Sequence, residues 1–214
     1  MFGVVTIARE FGSGGGAIAR TVAERLGWEL LDKNLIKAIA RAAQVDLETA
    51  RRYDESVDSW WHRINRAGLW PAALAGGAAA VDAQIFDADT MAALAQRMIL
   101  DAAAKGGCVI VGRGAQCVLQ NCPGAFHVFV YAPWRERIAR VQVRMGAKNV
   151  EELVRSTDEV RATYIRRYFG CDWKEPHLYQ MMINSEFGRD NVVRLIVDVV
   201  ESAGLASLLQ SVKV

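Results

Sequence analysis

The opening segment VVTIAREFGSGGGAIARTVAERLG, residues 4–27, limits the folds open to this chain more than any other stretch. Val4 to Ala8 is an apolar run with the β-branched content of a buried parallel strand. It stops at Arg9-Glu10-Phe11, and Gly12-Ser13-Gly14-Gly15-Gly16 follows. Ile18, Val22 and Leu26 then recur at helical spacing, with Gly27 placed to end the helix. Strand, glycine loop and helix together make an anion site. Glycines let backbone N–H groups converge without Cβ obstruction, and the helix N-terminus adds its unpaired donors and positive dipole end. Gly12, Ser13, Gly14, Gly15, Gly16 and Ala17 are therefore expected to cradle phosphate.

The usual phosphate-loop pattern ends Gly-Lys-Ser/Thr, whereas the corresponding residues here are Gly15-Gly16-Ala17 or thereabouts. Neither a lysine nor a metal-binding hydroxyl stands in its accustomed place. A plain structural turn is the alternative reading of such a loop.

At 214 residues and 52% hydrophobic content the chain suits one domain with an inserted subdomain. A net charge of +2 demands no long nucleic acid as partner. No apolar run approaches a membrane span, and no signal peptide is read at the N-terminus. Cys108, Cys117, Cys122 and Cys171 contain no Cys-x-x-Cys pair, so reduced thiols, a cytoplasmic location and no metal centre are expected.

Along the chain, Trp28 to Leu31 is read as a second strand. Asp32 and Lys33 follow at its carboxyl end, where open α/β sheets bind ligands; Asp32 serves equally well as a helix cap. Leu35–Ala43 and Leu47–Asp54 are expected helices. The stretch from Glu55 to Phe86 holds Trp60, Trp61 and Trp70, read as a subdomain contact or a homodimer interface. Asp89 to Ala104 is a helix with Met91, Leu94, Ala95, Met98 and Ala102 on one face, and Cys108–Val111 is a buried strand.

Gly112-Arg113-Gly114 follows that strand at once, placing a guanidinium fork suited to phosphate oxygens where the backbone can approach a ligand. Ala125–Tyr131 is the next strand, and a helix beginning near Pro133 stacks Arg137, Arg140 and Arg144 on one face. Like charges so placed repel unless an anion joins them, which favours an anion clamp over a solvated face. A second basic helix, Val150 to Phe169, carries Arg155, Asp158, Arg161 and Tyr164 on one side. Tyr179–Asn184 is the last expected strand, Asn191–Ser202 its helix, and Leu205–Val214 a tail.

The chain resembles the cytidylate kinase-like family of P-loop nucleoside monophosphate kinases over nearly its whole length. The resemblance is carried by Ala8 to Gly15, Leu31-Asp32-Lys33, Val109 to Gly114, Val130 to Pro133 with Arg137, Arg161 with Tyr164, Gly170 to Trp173, and Ile183-Asn184. It implies an α/β, P-loop NTPase-like parallel five-stranded sheet with helices on both faces. It also implies a helical acceptor-binding insertion, about 34–90, and a basic lid, about 134–172, within one domain. The implied activity transfers the ATP γ-phosphoryl group to CMP or dCMP, with ATP and Mg²⁺ required and Ser13 or Asp32 near the metal through water. On this resemblance Arg113 holds the acceptor phosphate, and Arg137 and Arg161 close over the transferred group. Asp32, Lys33 and Asp158 contribute to the acceptor side. Family members commonly place a basic residue at the position of Gly16, so Arg9 and Lys33 become the nearest substitutes for the missing cation. A non-catalytic nucleotide-binding protein and a kinase for another small acceptor remain open.

Overall fold

A computed structural model of the chain describes residues 2–32, 88–146 and 149–211. Lys33, the helices expected over 35–43 and 47–54 and the three tryptophans of the 55–86 stretch lie outside the described residues. The chain divides into two compact units, Met1–Asp32 with Gln96–Val214, and Lys33–Ala95. Of the second unit, only residues 88–95, at the start of a helix, are described.

The first unit is built on a five-stranded, all-parallel sheet in the order β2-β3-β1-β4-β5. The strands are β1 (Val4–Arg9), β2 (Glu29–Leu31), β3 (Cys108–Val111), β4 (Ala125–Tyr131) and β5 (Met181–Asn184). The described helices are α1 (Gly15–Leu26), α2 (Ala88–Lys105), α3 (Ala115–Val118), α4 (Trp134–Met145), α5 (Val150–Phe169) and α6 (Arg189–Ser211). β1 lies at the centre, with Val5 opposite Val109 of β3 and Phe126 of β4. Chain growth switches sides there: β2 and β3 occupy one flank, β4 and β5 the other. Such a reversal point, outside the strands' carboxyl ends, is where open α/β sheets bind ligands.

Alternate strand residues feed two cores, as the period of two requires. Val5, Ile7, Val109, Val111, Val128 and Val130 join Ile18 and Val22 of α1 and Val193 and Ile196 of α6. On the other face Ala8 and Phe129 meet Ile165 of α5, then Trp173, Leu178 and Tyr179 beyond it. α5 is therefore half of the sheet's cover as well as a basic helix.

The structure departs from the sequence expectations at three edges. β5 begins at Met181, because Tyr179 closes a short 3-10 turn, Pro176–Leu178. The last helix runs unbroken from Arg189 to Ser211, so residues 205–211 continue it where a tail was expected. A single internal glycine, Gly204, lowers helix propensity by about 1 kcal/mol and does not compel a break. In α2 Ala95 is buried as expected, but its buried neighbours are Ala92 and Ile99, while Leu94 and Met98 of the expected face are only half-buried. Among the described residues, no helix is long and apolar enough to cross a membrane.

One buried polar pair ties β1 to β4. Thr6 Oγ1 lies 2.7 Å from His127 Nδ1, and His127 Nε2 lies 3.3 Å from the Leu119 carbonyl oxygen. A carbonyl can only accept, so Nε2 carries the proton and Nδ1 accepts from Thr6. Burial holds the imidazole below its ordinary pKa of 6.5, partly offset by the bond to Leu119. The unfolded chain thus binds this proton more readily, and stability present above that value is lost as pH falls towards the lowered folded one. The denaturant midpoint of the wild-type chain should fall between about pH 7 and pH 5, and His127→Gln should make that fall shallower, as measured by urea titration at each pH. Parallel pH profiles for the two proteins would remove His127 from the account.

Candidate active site

The loop after β1 is held by its own backbone before any other element touches it. Ser13 is fully buried, its amide donating to the Glu10 carbonyl at 3.2 Å and its hydroxyl to the same oxygen at 2.8 Å. Gly12 and Gly14 take φ of 84° and 82°, the left-handed region that favours glycine. A Cβ on Gly12 would lie 2.8 Å from the Arg137 carbonyl oxygen, so α4 packs directly on the loop. Gly14 is the N-cap of α1, and the Ala17 and Ile18 amides donate back to its carbonyl. The amides of Gly15 and Gly16 precede these bonds, and α1 has no acidic residue in its first turn. The positive end of the helix is thus left for an anion.

Around this loop the late arginines fan out. Arg137 is only 6% exposed; its Nη1 donates to Asp158 Oδ2 and, at 3.3 Å, to the Phe11 carbonyl, while its Nε faces Glu10 Oε2 at 3.4 Å. Asp158 accepts from the Phe11 amide at 2.8 Å, so both backbone polar groups of Phe11 are tied to α4 and α5. Burial raises the Asp158 carboxyl above its ordinary range, opposed by the Phe11 amide, Arg137 and Arg161.

Arg161 donates to the Arg9 carbonyl at 3.0 Å, and Arg140 to the Ser13 carbonyl at 3.2 Å and Ser185 Oγ at 2.8 Å. Arg144 and Arg161 lie against the Phe11 ring, at 5.3 and 5.7 Å from its centre. The repulsion expected within the α4 arginine stripe is therefore relieved by the protein's own acids, carbonyls and ring.

Glu10 and Lys174, absent from the sequence-based site, join this network through a 2.7 Å contact between Nζ and Oε1. Glu10 carried a usable signal: an acid inside a would-be phosphate loop needs a cation to hold it away from the phosphates.

At the end of β3, Gly112, Arg113 and Gly114 take φ of 71°, 60° and 72°. Arg113 is the sole non-glycine with positive φ among the described residues, a conformation costing about 1–3 kcal/mol and concentrated at ligand sites. The Gly112 amide donates to Ile7 of β1 at 3.1 Å, placing the turn beside the phosphate loop. A Cβ on Gly114 would lie 2.2 Å from the Phe169 ring, so α5 closes the turn from above. Tyr164, held above its ordinary pKa by burial, feels the Arg113 charge in the opposite sense.

Asp32 is half-buried just beyond β2. Of the two groups expected near Mg²⁺, Ser13 is fully buried with its hydroxyl bonded to the Glu10 carbonyl, whereas Asp32 is partly open to solvent. All four cysteines are free thiols, and among the described residues no group of three or more His, Cys, Asp or Glu side chains is placed to hold a metal.

A parallel sheet in this order, with a glycine loop between the central strand and a helix, is the fold of P-loop kinases. A gluconokinase from Sinorhizobium meliloti 1021 shares it at TM-score 0.55 and 13% identity, over 98% of this chain and 97% of that one. Shikimate kinase from Acinetobacter baumannii shares it at TM-score 0.52 and 14% identity, over 95% of each chain. An uncharacterized protein from Eubacterium ventriosum ATCC 27560 matches at TM-score 0.67 and 21% identity, over 94% of this chain and 99% of that one. At such identities the likeness speaks for the fold. No curated protein sequence matches significantly. The sequence profile of the cytidylate kinase-like family matches residues 4–186, and the chain belongs to that family.

Replacing Arg137 by Met should destabilise the protein by about 3–5 kcal/mol, because Glu10 and Asp158 would remain buried without their shared cation. Lys174→Met, removing a half-exposed partner, should cost about 1 kcal/mol or less. Urea unfolding of both variants checks the ordering; equal losses would contradict it.

Proposed function

We propose that the protein is an ATP-dependent phosphotransferase whose acceptor is a small phosphorylated metabolite, with CMP or dCMP the first candidates. The observation that carries this reading is that the glycine loop and the Arg113 turn end neighbouring strands. The glycine loop ends β1, the Gly112-Arg113-Gly114 turn ends β3, and a backbone bond joins the turn to β1. Donor phosphates are assigned to the amides of Gly14, Gly15 and Gly16 at the N-terminus of α1. The acceptor phosphate is assigned to Arg113.

In the transfer, an acceptor phosphate oxygen bonds to the γ-phosphorus as the bond to the β–γ bridging oxygen breaks, leaving ADP. The step needs alignment and spread positive charge more than covalent help. Arg9 lies nearest the transferred group in this scheme. Arg137, Arg161 and Asp158 act through the loop backbone they hold, as positioning residues. Mg²⁺ enters as part of the MgATP substrate, with Asp32 assigned to its water shell. Lys33 is assigned to the acceptor side from the sequence alone.

Two other readings are kept. Shikimate kinase and gluconokinase share the fold, which favours testing hydroxyl acceptors. The absence of a loop lysine favours testing for binding without turnover. Self-association through Trp60, Trp61 and Trp70 completes the proposal; a monomer in sedimentation would remove it.

Coupled ATP turnover with nucleoside monophosphates, shikimate and gluconate separates the three. The proposal expects turnover with a nucleoside monophosphate and, in Arg113→Ala, an acceptor KM raised about thirty- to a hundredfold with ATP affinity kept. ATP binding with no turnover on any acceptor would contradict it, and wild-type acceptor kinetics in Arg113→Ala would show the acceptor to be misplaced.

A further inference from the structure

Two glycines frame the side chain of Arg9. A Cβ on Gly15 would lie 2.6 Å from Arg9 Cβ and 2.9 Å from Arg9 Cγ. The Arg9 Cβ is fixed by the strand backbone and cannot swing aside. A Cβ on Gly112 would lie 2.1 Å from Arg9 Nη1. The stem of Arg9 therefore crosses the first residue of α1, and its guanidinium reaches the turn that ends β3. The Arg161 bond to the Arg9 carbonyl fixes the backbone from which this side chain departs.

The structure also sets the register of the loop against the pattern Gly-x-x-x-x-Gly-Lys-Ser/Thr, which runs from strand end to helix start. Arg9 is the last residue of β1 and Gly14 is the N-cap of α1. Arg9 thus stands at the first glycine of the pattern, Gly15 at the lysine and Gly16 at the hydroxyl. This is one residue earlier than the Gly15-Gly16-Ala17 match expected from the sequence.

We propose that Arg9 and Gly15 are a reciprocal exchange of the pattern's first glycine and its lysine. The phosphate-binding cation has moved from the first residue of the helix to the last residue of the strand, and its stem fills the space a lysine stem at Gly15 would enter. From there the guanidinium lies between the donor amides and the Arg113 turn, where its fork suits the outer phosphates of a polyphosphate. The inference rests on the phosphotransfer reading and gives that site its missing charge.

A double-mutant cycle tests it with the full chain: wild type, Arg9→Gly, Gly15→Lys and the pair together, plus Arg9→Met, which keeps the stem and removes the charge. Thermal unfolding reads the steric half. Calorimetric affinity for MgATP and for inorganic tripolyphosphate reads the electrostatic half. Gly15→Lys should lower Tm, and adding Arg9→Gly should recover it. Arg9→Gly and Arg9→Met should each weaken both ligands about ten- to a hundredfold, and the double variant should regain most of that loss. Additive effects in both readouts, or wild-type tripolyphosphate affinity in Arg9→Met, would overturn the exchange. A wild type that binds both ligands but turns over no acceptor would sink the phosphotransfer reading and leave the exchange standing on the cycle. A wild type that binds neither would sink both.

Discussion

Burial of one guanidinium underlies the geometry of this protein. Arg137 leaves α4, faces Glu10 and Asp158, and donates to the backbone of Phe11. Glu10 and Phe11 are the residues between the end of β1 and the glycines, so fixing them fixes the loop. An ion pair of this kind contributes little net stability relative to well-packed apolar groups. Its value here is directional: Arg137 and Lys174 hold the loop's acid, and Arg137 also holds its carbonyl, so the strand end and the glycines are aimed together. Arg140 on Ser13 and Arg161 on Arg9 repeat the device at the neighbouring carbonyls.

The same arrangement explains how three arginines of the late basic helices, Arg137, Arg140 and Arg161, turn inward. α5 is amphipathic in an unusual sense. Ile165 enters the sheet's second core, while Asp158 and Arg161 reach the loop and Phe169 covers Gly114. One helix therefore covers the apolar face, braces the glycine loop and closes the Gly112-Arg113-Gly114 turn. A change in its packing would reach both loops together, through contacts the chain itself supplies.

Much of the fold was legible because its signals are local. Buried parallel strands declare themselves as short β-branched runs, and β1, β3 and β4 lie where Val4–Ala8, Cys108–Val111 and Ala125–Tyr131 predicted. α5 likewise keeps its expected bounds, ended by Gly170 in the left-handed conformation. The site was legible only in part, because its determinants are contacts between distant residues. Nothing near Arg137 in sequence indicates that Glu10 will neutralise it, and the like-charge stripe suggested an external anion instead. The register of the glycine loop was hidden for a related reason. Consecutive glycines offer several alignments, and only the strand end at Arg9 and the cap at Gly14 choose among them. The last helix runs past its expected end because Gly204 is only a weak interruption and no proline follows it.

The account stands or falls on whether phosphates bind at the start of α1. An amide-resolved NMR titration of the wild-type chain with MgADP, then with tripolyphosphate, locates them directly. The Gly14, Gly15 and Gly16 amides are expected to shift with both ligands, while Gly27, which caps the far end of α1, and Gly107, which precedes the amino end of β3, stay in place. Shifts confined to other regions, with those three loop amides unmoved by either ligand, would contradict it.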